Sequence, residues 1–289
     1  MRTRVIQMGV AGAVALGLFA PPADPPLPSP SGFAAARAAM EAAGQPYAGW
    51  AAAGRRFLLF DRAGDGFAAE VLGDLATADR IVVLVPGVGT TLADFDRGLG
   101  GVARRAPAVQ ARNLHAELLR QDPDARVAVV AWLGYDPPDG WGLAVATADR
   151  AMAGAAALDG FVRRLTAERP AATVALIGHS YGSVVLGLAA AGLPTQVTDL
   201  VAIGSPGMGV DSAAELGTTA QVWAGQAAGD WIRRVPGVRV LGLGHGRHPA
   251  DPAFGARALP VDGVDGHDGY LEPGTPTLTA LAAIVLDRR

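Results

Sequence analysis

Six stretches of the chain are continuously apolar and rich in β-branched residues: "RIVVLVPGVG" (80–89), "RVAVVAWLGYD" (126–136), "ATVALIGHS" (172–180), "TDLVAIGSPG" (198–207), "AQVWAGQ" (220–226) and "GVRVLGLGHG" (237–246). Runs without polar alternation are the pattern of strands buried on both faces of a sheet. Helical texture fills most of the gaps, over 108–121, 144–168, 183–192 and 276–287. Buried strands alternating with helices predict right-handed crossovers, hence an α/β protein with a mostly parallel sheet and helices on both faces. Upstream, "RRFLLFDRAGDGFAAEVLGDL" (55–75) reads as two strands around Gly64-Asp65-Gly66, an antiparallel hairpin at the sheet's edge. Before it, "GFAAARAAMEAAG" (32–44) reads as a short helix ended by Gly44. No internal repeat or second domain shows, so residues 32–289 are expected to form one domain.

The first residues carry a different pattern. Arg2 and Arg4 precede the apolar run "VIQMGVAGAVALGLFA" (5–20), and a Pro-rich linker follows over 21–31. A short basic start, an apolar centre and a Pro-rich exit suit a secretory signal over residues 1–20. The run falls short of the about 20 residues a spanning helix usually needs. Export, to a secreted or extracytoplasmic location, is therefore expected, with an uncleaved N-terminal anchor as the alternative. Membrane contact is expected only through that segment.

Composition narrows the chemistry. All 24 basic residues are Arg and the chain has no Lys, which removes a Walker-type phosphate loop and a lysine Schiff base. It has no Cys either, so thiolate zinc sites, iron–sulfur clusters and cysteine nucleophiles are excluded. A formal net charge of −3 gives no reason to expect a nucleic acid partner. Neither cofactor nor metal is expected.

The most specific signal is Gly178-His179-Ser180-Tyr181-Gly182, a G-x-S-x-G sequence between "TVALI" and "SVVLGLAAAG". Strand, tight turn and helix are the context in which such a serine is lifted clear of the sheet as a nucleophile. Gly178 and Gly182 are needed because a Cβ on either side would collide with the strand or the helix. With 39 Gly in the chain, a chance match around an inert Ser is the alternative.

A serine needs a base, and the base an orienting acid. Of the five His, His115 lies in a predicted helix and His179 inside the turn, pointing away from Ser180. His267, after the last predicted strand, fits the order serine, acid, histidine. His245 is the runner-up, and the pair His245 and His248 is only a weak metal signal. For the acid, Asp230 follows the 220–226 strand, with Asp211 as the alternative. Asp268, adjacent to His267, cannot easily reach back to its ring. The oxyanion donors expected are the amides of Tyr181 and of Val88, the latter in "VPGVGTT", where Gly87 and Gly89 allow close backbone approach. Tyr135 and Trp141, in "GYDPPDGWG", are candidate walls of an acyl pocket, or merely part of a packed loop.

Taken in order, "VLVPGVGTT", "AWLGYDPP", "GHSYGSVV", "GSPGMGV", "DWIRRVPG" and "GHDGYL" resemble an actinobacterial α/β-hydrolase family of unassigned function, over roughly residues 35–287. The resemblance implies the alpha/beta-hydrolase fold and a triad of Ser180, Asp230 and His267. Where family members often read His-Ser-Asp-Tyr, this chain reads His267-Asp268-Gly269-Tyr270. The dozen or so residues between Gly207 and the next strand leave no room for a large lid domain. The expected activity is a serine hydrolase cleaving carboxylic esters, of lipid or cell-envelope acyl groups. An acyltransferase with the same triad and a non-catalytic binding protein on this fold are the alternatives.

Overall fold

The computed structural model describes residues 32–140 and 142–287. The readings of residues 1–20 as a leader, of 21–31 as a linker and of Trp141 as a pocket wall lie outside these residues. Five of the six apolar runs become strands, and the hairpin adds two more. The strands are β1 (Arg56–Asp61), β2 (Phe67–Gly73), β3 (Arg80–Val85), β4 (Val127–Leu133), β5 (Thr173–His179), β6 (Val197–Ile203), β7 (Gln221–Gly225) and β8 (Arg257–Ala258). They form one sheet in the order β1-β2-β4-β3-β5-β6-β7-β8. β2 runs antiparallel to both β1 and β4, and all pairings from β4 to β8 are parallel.

Why the central runs lack polar alternation is visible in β3. Ile81, Val83 and Val85 pack on one side of the sheet, while Val82 and Leu84 pack on the other. The helices are α1 (Gly32–Ala43), α2 (Tyr47–Ala52), α3 (Pro107–Gln121), α4 (Leu143–Ala146), α5 (Asp149–Glu168), α6 (Gly182–Ala189) and α7 (Pro276–Val285). Residues of α5 and α6 close the first face, and residues of α1, α3 and α7 the second. Each fully buried Val, Leu or Ile contributes about 1.5–3 kcal/mol, so two covered faces hold the sheet rigid beneath its loops.

Two expectations fail for physical reasons. Residues 237–246 are not a buried strand. Gly242, Gly244 and Gly246 have φ of 82°, 84° and 81°, a left-handed backbone that no strand can carry, and the pairing there is a single bridge between Val240 and Leu243. The place beside β7 goes instead to β8. The helix expected over 144–168 is broken between α4 and α5. The carbonyls of Val145, Ala146 and Thr147 accept hydrogen bonds from His245 Nε2, the Gly244 amide and the Tyr181 hydroxyl, at 2.7, 2.8 and 2.9 Å. Those oxygens are diverted from the helical ladder, so the helix restarts at Asp149. No large lid domain is inserted between β6 and β7, where the connection carries only a single short 3₁₀ turn, Ala213–Leu216.

Candidate active site

The sheet register sets the C-terminal ends of four strands side by side: Val85 opposite Gly178, His179 opposite Ile203, and Ile203 opposite Gly225. The loops leaving β3, β5, β6 and β7 therefore meet on one rim, where ligands of open parallel sheets gather.

Ser180 stands at the β5–α6 turn with φ 54°, a left-handed backbone that costs a non-glycine residue roughly 1–2 kcal/mol. The crowding that demands the flanking glycines is severe. A Cβ on Gly178 would lie 2.7 Å from the Ser183 backbone, and one on Gly182 would lie 2.3 Å from the Val85 carbonyl oxygen. Gly87 presses on the serine itself; a Cβ there would be 2.8 Å from Ser180 Cβ and 3.3 Å from its Oγ. That contact sets the next residue, Val88, in the loop beside the serine. Tyr135 is buried, and its hydroxyl donates to the Pro86 carbonyl at 2.7 Å, while the Gly89 amide donates to the Pro138 carbonyl at 3.0 Å. The Tyr135 hydroxyl is thus spent on holding the β3 loop.

Asp230 and His267 meet: His267 Nδ1 donates to Asp230 Oδ1 at 2.8 Å. The Ile232 amide donates to the same oxygen at 2.8 Å, and the Tyr270 hydroxyl donates to Oδ2 at 2.6 Å. Burial pushes the Asp230 carboxyl up, but these three donors and the imidazole's charge outweigh it and leave it below its ordinary value. The Tyr270 hydroxyl, buried and bound to that carboxylate, is pushed up and stays protonated. It also accepts from the Ala227 amide at 2.9 Å, tying the acid's loop to the base's loop. With Nδ1 engaged as a donor, His267 presents the lone pair of Nε2.

The serine and the histidine share a neighbour. The Ser180 amide donates to the Ile203 carbonyl at 3.0 Å, and a Cβ on the following Gly204 would stand 3.2 Å from His267 Cε1 and 3.0 Å from Asp230 Oδ2. The histidine ring also packs between Trp231 and His179, at centroid distances of 4.6 and 4.8 Å.

The rejected candidates have other partners. His245 is buried, its Nε2 on Val145 and its ring edge-on to Tyr181; burial lowers its pKa. His248 Nε2 donates to the Val235 carbonyl at 2.8 Å, and His115 packs against β2 at Gly73. Asp211 is exposed and accepts from the Arg247 amide, while Asp268 pairs with Arg105 at 2.7 Å.

Sequence reasoning missed three supports. Tyr270 carried a signal, since it closes the quoted "GHDGYL" stretch. His179 points away from Ser180, as its place in the turn suggests, but its Nε2 donates to the His267 main-chain carbonyl at 2.8 Å. Ser183, fully buried, donates to the Ser180 carbonyl at 2.5 Å and meets Ser205 Oγ at 2.6 Å, fastening the elbow to the Gly-Ser-Pro-Gly turn after β6.

A parallel sheet covered on both faces, with a strained serine turn between a strand and a helix, defines the class. A family profile described as alpha/beta hydrolase matches residues 61–240, more than half of the chain, and the chain belongs to that family. Uncharacterized protein Rv2079 of Mycobacterium tuberculosis is 30% identical over 249 residues, 76% of this chain and 37% of that one. The chain therefore spans little over a third of that relative's length. Uncharacterized protein Rv0963c of the same organism is 35% identical over 175 residues, 57% of this chain and 62% of that one. Among solved structures, the dienelactone hydrolase of Anabaena variabilis superposes with a TM-score of 0.48 at 16% identity, covering 81% of this chain and 96% of that one. Est1E from Butyrivibrio proteoclasticus gives 0.48 at 13%, covering 81% and 99%.

Proposed function

We propose that the chain is a serine hydrolase of carboxylic esters, acting on lipid or cell-envelope acyl groups, with Ser180, His267 and Asp230 as its triad. The observation that carries this reading is the 2.8 Å bond from His267 Nδ1 to a buried Asp230 carboxylate, on the rim where Ser180 is held at positive φ. An ionised acid in that position fixes the tautomer that makes Nε2 a base and stabilises the imidazolium formed when the base works.

In the first half-reaction His267 Nε2 takes the Ser180 proton as Oγ attacks the acyl carbon. The tetrahedral oxyanion is held by the amides of Tyr181 and Val88, each such donor contributing about 2.7–4 kcal/mol to the transition state. The imidazolium then protonates the leaving alkoxide, and the acyl group stays on Ser180. In the second half-reaction His267 removes a proton from water, hydroxide adds to the acyl carbon, and the carboxylic acid leaves as Ser180 recovers its proton. Supporting the role of Tyr181, its amide lies at the N-terminus of α6, where the helix dipole favours negative charge.

A fluorophosphonate probe tests the reading. It should label the wild type and not Ser180→Ala, and that substitution should cut turnover of a short nitrophenyl ester by roughly 10³–10⁶-fold. Labelling or turnover that survives Ser180→Ala refutes it.

A further inference from the structure

Residues 237–246, read from sequence as a buried strand, instead form a small apolar finger. Val240 and Leu243 exchange backbone hydrogen bonds of 2.9 and 3.0 Å across a two-residue turn, Leu241-Gly242. Both turn residues have positive φ, 51° and 82°. Such turns favour Asn, Asp or Gly at the first position, so a leucine there is strained. Leu241 is also 98% exposed, and nothing in the fold is gained from its side chain. Val238, Val240 and Leu243 are exposed beside it.

The finger is tied to the rest of the fold at its base. Gly244 donates to Ala146 of α4, and Arg239 Nη1 donates to the Gly209 carbonyl at 2.8 Å. This sets α4, with Leu143 at 73% exposure, alongside. Along the chain the finger follows, after Val235-Pro236-Gly237, the 3₁₀ turn Trp231–Arg234 that Asp230 caps.

Charge distinguishes the occupant. Of the four Arg in residues 231–247, Arg247 is held by Asp211 and Asp251, whereas Arg233, Arg234 and Arg239 lie in a stretch with no Asp or Glu, in a chain whose formal net charge is −3. Arg233, Arg234 and Arg239 are exposed around the finger. A second copy apposing the same face would bring cation against cation. An anionic lipid surface supplies both an apolar layer for the leucines and valines to enter and the opposite charge that Arg233, Arg234 and Arg239 do not find among the described residues.

We infer that the 238–243 finger is a docking tip for bilayers with anionic headgroups, and that it brings the candidate site to esters held in or at such a surface. The substrate half of this inference rests on the serine-hydrolase reading; the docking half does not.

Because the chain has no Cys, Leu241→Cys in the full chain can be labelled uniquely with an environment-sensitive nitrobenzoxadiazole dye, and Arg37→Cys on α1 supplies a remote control. Both positions are exposed, and both variants should unfold at the wild-type temperature. With vesicles of phosphatidylglycerol and phosphatidylcholine, the dye at 241 should brighten and shift to the blue while the dye at 37 stays unchanged. Vesicles of phosphatidylcholine alone should give a much weaker response. Adding Arg233→Glu and Arg234→Glu should raise the lipid concentration at half-response by about tenfold or more, since each basic residue near an anionic surface is worth about 1 kcal/mol.

No response at 241, an equal response at 37, or a blue shift that follows protein concentration without lipid overturns the docking tip; the last points to a second copy. Fluorophosphonate labelling read in parallel separates the two ideas. A labelled protein that ignores vesicles loses the finger alone, and an unlabelled one that binds them loses the triad alone.

Discussion

His179 Nε2 donates its proton to the main-chain carbonyl of His267, 2.8 Å away. The residue before the candidate nucleophile therefore holds the loop that carries the candidate base. Only the neutral Nε2–H tautomer or the imidazolium can make this bond. Burial, with the charge of His267 adding to it, lowers the His179 pKa to about 4, so at neutral pH the ring is neutral.

This has a consequence for acid stability. The folded pKa lies below the ordinary histidine value of 6.5, so between pH 6.5 and about 4 the unfolded chain binds the extra proton. Stability contributed by the neutral ring is complete above pH 6.5 and is lost as pH falls toward 4, by up to about 3 kcal/mol. His179→Gln, which keeps a donor, should flatten urea-unfolding free energies across that window. An unchanged slope would show that His179 titrates normally.

Asp230→Asn leaves an oxygen for the Ile232 amide but removes the charge that stabilises the imidazolium. On the proposed mechanism, kcat for a nitrophenyl ester should fall about 10⁴-fold with KM little changed. A fall of only a few-fold would remove Asp230 from the triad.

Tyr270→Phe deletes a hydroxyl that serves both the Asp230 carboxylate and the Ala227 amide. Loss of a bond to a charged group, with a buried amide left unpaired, should cost about 1–3 kcal/mol. The direction with pH follows from the acid's lowered pKa, whose stabilisation is present above the usual carboxylate range and lost as pH falls through the folded value. With one donor gone the folded pKa rises, so the acid-unfolding midpoint should move to higher pH. Circular dichroism during an acid titration reads this directly.

Leu241→Asn replaces a β-carbon-strained turn residue by one that tolerates positive φ. It should stabilise the fold by about 0.5–1 kcal/mol in urea unfolding. A destabilised variant would mean that the leucine side chain has a partner within the fold.

The sheet was legible because β3 to β7 are buried on both faces and read as unbroken apolar runs. The turn at Ser180 was legible because steric crowding leaves glycine as the only choice at 178 and 182. Asp230 was singled out by the end of β7, and His267 by its place after a 237–246 strand that the fold does not contain; the strand that precedes it is β8, Arg257–Ala258. Their supports were not legible, since Tyr270 and His179 act across 40 and 88 residues of sequence. The finger misled for a different reason. In "VRVLGLG" the apolar side chains look like a strand, while the glycines between them permit a turn that periodicity cannot register.

The break between α4 and α5 makes one short segment answerable to two distant ones, Gly244-His245 and the turn at Tyr181. Val145, Ala146 and Thr147 lend consecutive oxygens to His245, Gly244 and Tyr181. Inserting or deleting a single residue there would slip all three fastenings out of phase at once. Length variation should therefore be tolerated far better at the 62–66 hairpin turn than in residues 143–148.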